Sequence, residues 1–268
     1  MELPRSTGSG GLIVLASAGS TNDELSLIAA EAPEFTVVLT LDQRAGRGRL
    51  GRSWIAPPGR TLAASVLLRP LAPGQAPLPP DAMGWLPLLA GAAMTAAVSS
   101  VLPAPEARLK WPNDVLIDGR KVSGLLTELA PGGAVLVGSG VNLFLTADEL
   151  PTPTATSLVL AGATADGDEL IDLVLSRYLA GLRDLVRDLR DAGGNAMASG
   201  GHAAVTALCD TLGRSVRVEL PGGDALLGTA VGIDPTGRLQ VRPENGGALV
   251  AVAAGDVVHL RPWLAERG

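Results

Sequence analysis

Short apolar runs alternate along the chain with glycine-, proline- and charge-rich breaks, and the period inside each run predicts its form. GLIVLAS (11–17), TVVLTL (36–41) and TLAASVLL (61–68) are short, rich in branched residues and bounded by breaks, which predicts strands. Between the first two, Ser20-Thr21-Asn22-Asp23 reads as a helix N-cap ahead of ELSLIAAEA. ARLKW and DVLID predict two further strands, with Asp118-Gly119 as a hairpin turn, and KVSGLLTELA and AVLVGSGVNLF pair across Pro131-Gly132-Gly133. Residues 168–189 carry apolar side chains at helical spacing with charges on the opposite face. Residues 1–10 are expected to be a flexible tail, and the proline-rich stretch 70–80 an exposed connection.

From about residue 212 the pattern changes to five short strand candidates: GRSVRVEL, ALLGTAVGI, RLQVRP, ALVAVAA and DVVHL. They are separated by PGG, DPTG, ENGG and AGD turns, which predicts a small all-β barrel. The expected organisation is a tail (1–10), a large mixed domain (11–211) and a barrel domain (212–268).

One run needs composition to decide it. Residues 82–105 carry no charge and approach the length of a bilayer span of ~30 Å. They are mostly alanine, glycine and serine, with Pro87 inside and Pro103 and Pro105 at the end, so a buried helix is the better reading and no membrane association is expected. The N-terminus lacks a charged-then-apolar signal pattern, so a cytoplasmic location is expected. A single cysteine, Cys209, excludes an intrachain disulfide and a multi-cysteine metal site, and it reads as a small buried hydrophobe. His202 and His259 lie too far apart in sequence to suggest a metal pair.

The net charge of −6 argues against a general nucleic-acid binder, yet positive charge is concentrated locally. Six arginines and no acidic residue lie between Asp42 and Asp81. Within that span GRGRLGRSW (46–54) spaces Arg47, Arg49 and Arg52 among Gly46, Gly48 and Gly51. Glycine backbone is costly to order and the arginines repel one another, so an anionic ligand would order this loop. Its spacing matches neither a Walker A loop nor a Rossmann fingerprint. A solvated basic loop, or an RGG-like RNA contact, remains the alternative.

All but two of the 21 basic residues are arginine, and the two lysines, Lys110 and Lys121, fall in one short window, KWPNDVLIDGRKVSGLLTE (110–128). Lysine is a point charge on a flexible stem and arginine a planar fork, so the residue type is constrained here. Asp114 could hold a magnesium ion on nucleotide phosphates, or simply cap the turn. Lys121 could neutralise charge where a carboxylate meets an α-phosphate.

At these segments the chain resembles the biotin–protein ligases that act on acetyl-CoA carboxylase. Ser20-Thr21-Asn22, GRGRLGRSW, KWPNDV, GRKVSGLLTE and GSGVN stand in that family's order, over roughly residues 12–160. The resemblance implies an α+β fold: a mixed sheet with helices, class II synthetase-like, plus a C-terminal SH3-like β-barrel. It implies a reaction in which biotin and ATP, with Mg2+, form biotinyl-5′-AMP. Biotin then passes to a lysine of a biotin carboxyl carrier protein domain.

Carried over by motif, Ser20, Thr21, Asn22, Gln43, Gly46, Arg47, Lys121 and Gly124 would line the biotin side, Asn22 chiefly as support. Arg49, Arg52, Trp54, Lys110, Asn113 and Asn142 would face the nucleotide, with Asp114 at the metal. Lys121, with Arg47 and Arg49, would carry the chemistry. Two roles are open for Lys110, phosphate contact or structural partner of the bend, and two for Trp54, ligand packing or anchoring the loop. Only 19 residues precede Ser20, too few for the winged-helix domain some relatives carry, so no DNA-binding role is expected. A monomer or weak homodimer is expected. The rival readings are a lipoate or octanoate ligase and a non-catalytic nucleic-acid-binding module.

Overall fold

The computed structural model describes all residues except 8–10, 75, 105–106, 220–224, 254–255 and 260–268. The PGG turn of the second domain lies wholly outside the described residues, and the AGD turn and Pro105 partly or wholly so. A seven-stranded sheet organises residues 12–142 in the order β1 (Leu12–Val14), β2 (Val37–Thr40), β5 (Thr61–Leu68), β9 (Val135–Asn142), β8 (Arg120–Leu129), β7 (Asp114–Ile117), β6 (Ala107–Lys110). β1 is parallel to β2 and every other neighbour is antiparallel, so the sheet is mixed. Strands β3 (Gly46–Arg47) and β4 (Ser53–Trp54) form a separate small hairpin inside the arginine loop.

The sheet alternates its faces as strand geometry requires. On β5, Leu62, Ala64, Val66 and Leu68 enter the main core, while Leu67 joins a second cluster with Leu25 of α1 (Thr21–Ile28) and Ala29 at that helix's C-cap. The main core is roofed by α3 (Trp85–Ser99) and α4 (Gly167–Asp191), preceded by the one-turn α2 (Pro80–Met83). The Pro80–Ser99 stretch is apolar enough to cross a membrane by length and composition, but it packs inside the core. Asp118 and Gly119 both take positive φ (50° and 73°), the backbone that a two-residue hairpin between β7 and β8 demands. A short helix, α5 (Gly201–Leu208), has no counterpart in the sequence reading, because eight residues with two buried positions carry little periodic signal.

Five antiparallel strands follow, ordered β13 (Val250–Val252), β12 (Leu239–Pro243), β11 (Ala225–Ile233), β10 (Ser215–Glu219), β14 (Asp256–His259). Their inward residues Val216, Val218, Ala230, Leu239 and Val241 belong to the same buried cluster as the large domain. Two tryptophans stitch the units together: the indole N–H of Trp85 donates to Pro235 O (2.8 Å) and that of Trp111 to Gly237 O (3.1 Å).

The start of the chain departs from expectation. Within residues 1–7, Leu3 and Ser6 are buried against α4 rather than trailing as a tail. The fully buried Asp172 carboxylate accepts from Arg5 N and from Ser6 N (both 3.0 Å) and from the Ser6 hydroxyl (2.7 Å). A buried charge requires such partners, and the sequence offered no sign that residue 172, inside an amphipathic helix, would recruit them from so far away.

Candidate active site

The α1 face of the sheet is not filled with side chains everywhere. A cavity of about 340 Å³ opens there, lined by the arginine loop, the start of α1, β8, β9 and the 111–114 bend. Its floor is glycine. A Cβ on Gly138 would lie 2.6 Å from Asn22 Oδ1, and one on Gly140 would lie 2.5 Å from the Trp54 ring. The GSGVN motif therefore clears room for the Asn22 amide and the Trp54 indole to lie directly on the sheet.

Lys121 reaches this cavity through an irregularity. Between β7 and β8, Val115 pairs with Ser123 while Leu116 pairs with Lys121, so Val122 is an extra residue, a β-bulge. Without it, Lys121 and Gly124 would face opposite sides of the sheet. With it, Val122 turns into the core, and Lys121, Gly124 and Asp114 share the cavity face. Lys121 Nζ lies 2.6 Å from Asp114 Oδ1. A Cβ on Gly124 would stand 2.8 Å from that ammonium, so only glycine leaves the lysine its place. The Lys121 backbone is pinned on its other side: its N–H donates to Thr154 O and its carbonyl accepts from Thr156 N, both at 2.8 Å.

The arginine loop is ordered by ion pairs. Arg47 forms a two-pronged pair with Asp23 (2.7 Å twice) and reaches Glu128 at 3.3 Å. The Arg47 hydrogen bonds hold the Asp23 carboxyl below its usual range, and the same pairing raises the guanidinium further above its own. One turn on, Arg49 donates to Asn113 Oδ1 (3.0 Å), and Asn113 Nδ2 donates to Leu125 O (2.8 Å), tying the loop to the bend. Gly46 does not line the cavity; a Cβ there would strike Gln43 Nε2 and Trp54 O, both at 2.4 Å, so it lets the hairpin close.

At the closed end, one hydrogen-bond chain orients the polar groups. Gln43 Oε1 accepts from Thr21 N (2.8 Å) and from the Thr21 hydroxyl (3.2 Å), which leaves the amide nitrogen, packed beside Gly46, as the donor end of Gln43. Ser65 Oγ contacts both Thr21 Oγ1 (2.7 Å) and Asn22 Oδ1 (2.6 Å). The Asn22 amide nitrogen donates to Glu128 Oε2 (2.6 Å). Ser20 occupies the N-cap position of α1, but its side chain makes no capping bond and instead borders the cavity.

Ser20, Thr21, Asn22, Gln43, Arg47, Arg49, Arg52, Trp54, Asn113, Asp114, Lys121, Gly124 and Asn142 thus surround one cavity. Asn142 donates to Thr156 O (2.9 Å) and so also holds the segment over Lys121. Lys110 is not brought in. It sits at the sheet margin, where its charge is felt by His259 of the second domain. The sequence reading missed Asp23 and Glu128 as partners of Arg47, and Ser65 beneath Thr21. Only the even-residue alternation of β8 (124, 126, 128) could have pointed to Glu128. Among the described residues no group of three or more His, Cys, Asp or Glu side chains gathers to hold a metal.

A cavity lined by an amide at one end, by an ammonium beside a carboxylate and by an arginine loop suits two anions brought together. Comparison with known proteins gives that arrangement its class. Residues 14–142 match the biotin/lipoate A/B protein ligase family, and residues 211–260 match the biotin protein ligase C terminal domain. A biotin–[acetyl-CoA-carboxylase] ligase of Mycobacterium tuberculosis is 40% identical over 254 residues, covering 93% of this chain and 89% of that one. The chain belongs to the biotin protein ligase family. Among solved structures, the Aquifex aeolicus biotin protein ligase in complex with biotin and ATP is similar at a TM-score of 0.72 and 27% identity, over 93% of this chain and 99% of that one. The Leishmania major enzyme in complex with biotinyl-5-AMP is similar at a TM-score of 0.59 and 25% identity, covering 91% of this chain and 99% of that one.

Proposed function

We propose that the chain joins biotin to ATP and then to a lysine of a carboxylase's biotin-carrier domain. In the first step an oxygen of the biotin carboxylate attacks the α-phosphorus, the Pα–O bond to the β-phosphate breaks, and pyrophosphate leaves. In the second, the carrier ε-amine attacks the acyl carbon of biotinyl-5′-AMP and AMP departs with the bonding electrons. The observation that carries the reading is Lys121 Nζ, set 2.6 Å from Asp114 on a glycine-cleared face of the cavity.

In this reading the Gln43 amide, with Thr21 and Ser20, binds the neutral ring end of biotin. Lys121 stands where the carboxylate meets the α-phosphate and offsets the charge that accumulates in the transition state. Arg49, Arg52 and Asn113 take phosphate and nucleotide contacts, Trp54 packs over the ligand, and Asn142 borders the nucleotide. Asp114 is a single carboxylate lining the cavity beside a cation, which fits a magnesium ion shared with substrate phosphates better than a metal cage built by the protein alone. When bound, such an ion supplies neutralising charge to the phosphates. Arg47, with its loop folded across the mouth, excludes water from the labile mixed anhydride. A cytoplasmic enzyme, monomeric or weakly dimeric through the exposed edge strand β1, is part of the same proposal.

Pyrophosphate release is measured with Mg-ATP and biotin, lipoate or octanoate in turn, followed by addition of a carrier domain. Biotin-dependent release with label reaching the carrier lysine is expected. Release with lipoate or octanoate alone would keep the chemistry and overturn the ring-end assignment.

A further inference from the structure

Trp111 opens the bend that carries Asn113 and Asp114, and both of its N–H groups are bound by the second domain and its approach. The indole N–H donates to Gly237 O (3.1 Å), and the backbone N–H donates to Thr211 Oγ1 (3.0 Å). Thr211 is fully buried, and its hydroxyl also lies 3.0 Å from Nε2 of His259, on the last described strand.

The Thr211 oxygen accepts from Trp111, so its single hydrogen is available to one acceptor. The imidazole nitrogen is a better acceptor than the neighbouring Cys209 sulfur. Asp210 Oδ2 lies 3.8 Å from Nδ1 of His259, which favours the ring hydrogen on that side and leaves Nε2 to accept from the Thr211 hydroxyl. The groups facing the ring are Lys110, Asp210 and Arg214; burial first, then Lys110, pushes its pKa down to about 4, and Asp210 opposes them. A pKa held that low by burial leaves the ring neutral at physiological pH.

We propose that Thr211 and His259 are positioning residues: the neutral imidazole fixes the Thr211 hydroxyl, which holds the Trp111 backbone and so sets the Asn113–Asp114 bend for the nucleotide. This rests on assigning that bend to the ATP side of the cavity. It gives the second domain a defined part in adenylation without any contact to the reacting atoms.

Thr211→Val keeps the shape and removes the hydroxyl, leaving a buried N–H without its acceptor. It should raise KM for Mg-ATP in pyrophosphate exchange by about tenfold, leave KM for biotin within about twofold, and be restored by Thr211→Ser. A change in KM for ATP below about twofold, an equal rise for biotin, or no rescue by serine would overturn the proposal. Nitrogen-15 NMR of the unmutated protein tests the chain without relying on any variant or activity. His202 Nε2 meets Ile233 O at 3.0 Å and must carry a hydrogen, so it serves as the reference for a protonated Nε2, against which His259 should show Nδ1–H and a bare Nε2. An Nε2–H or charged His259 at pH 7 would overturn the relay. Absence of biotin-dependent exchange in the unmutated enzyme would instead overturn the functional assignment, and the tautomer result would stand apart from it.

Discussion

The arginine loop and the 111–114 bend flank the same cavity and meet at the Arg49–Asn113 hydrogen bond, yet they are held by opposite means. The loop is pinned chiefly by pairs between half-exposed groups: the Arg47 side chain is 41% exposed and that of Asp23 59%. The bend is pinned by a tryptophan only 2% exposed, with both N–H groups satisfied. Exposed ion pairs are weak and salt-sensitive, whereas orphaning a buried donor is costly. In the proposed mechanism the loop is the wall that opens and the bend the wall that stays. A two-step ligase needs both, since ATP and biotin must enter, the adenylate must be shielded, and the carrier lysine must then reach it.

The largest expected effect lies at the meeting point of the two anions. Lys121→Ala should lower the rate of adenylate formation by a factor on the order of 10²–10³. Its effect on Tm should be slight, because the Lys121 side chain is 42% exposed. Pyrophosphate release beside a thermal melt checks this, and near-normal release would remove Lys121 from the chemistry. Next, Gly140→Ala drives a methyl group into the Trp54 ring, so the indole must leave its place and the hairpin with it. Adenylation should fall by about tenfold, and Trp54 fluorescence should shift to the red; an unchanged spectrum would contradict the close packing. Arg47→Gly removes the loop's main tie while sparing the bend. Adenylation should continue while biotinyl-AMP escapes and labels bystander lysines severalfold more, and full adenylation without such labelling would break the contrast between the walls.

The smallest effect tests the sign of the electrostatics. The Asp23 carboxyl is held below its usual range by Arg47, so that pair contributes above the unfolded carboxyl pKa of ~3.9 and is lost as pH falls through the lower folded value. Asp23→Asn should therefore cost less than about 1 kcal/mol at neutral pH and nothing in strong acid. Urea unfolding of both proteins at pH 7 and pH 2 would show it, and a deficit that persisted at low pH would refute it.

How much of this could be read in advance depended on whether the signal was local. TLAASVLL became β5 with the same ends, and the apolar 82–105 run became the core helix α3, because period and composition act within a few residues. Most motif-derived site residues reached one cavity because the motifs fall on the strands and loops that border it. Lys110 did not: it pairs with Asp114 and shares its face of the sheet, but it stands on the outermost strand β6, beyond the cavity lining, where His259 feels its charge. Asp23 and Glu128 are ordinary helix-start and strand acids until folding sets them beside Arg47, and no spacing in the chain encodes that meeting. The capture of Ser6 by Asp172 was invisible for the same reason: a buried charge and its distant partner leave no periodic trace.

The extra residue at Val122 has a consequence for how β8 tolerates change. The strand changes phase there, with Lys121 facing the cavity before Val122 and the even-numbered residues after it. Removing one residue there would merge the phases and send the lysine into the core or the glycine out of register, while leaving composition and strand length almost untouched. Such a deletion would yield a protein whose overall secondary structure reports health and whose chemistry is gone.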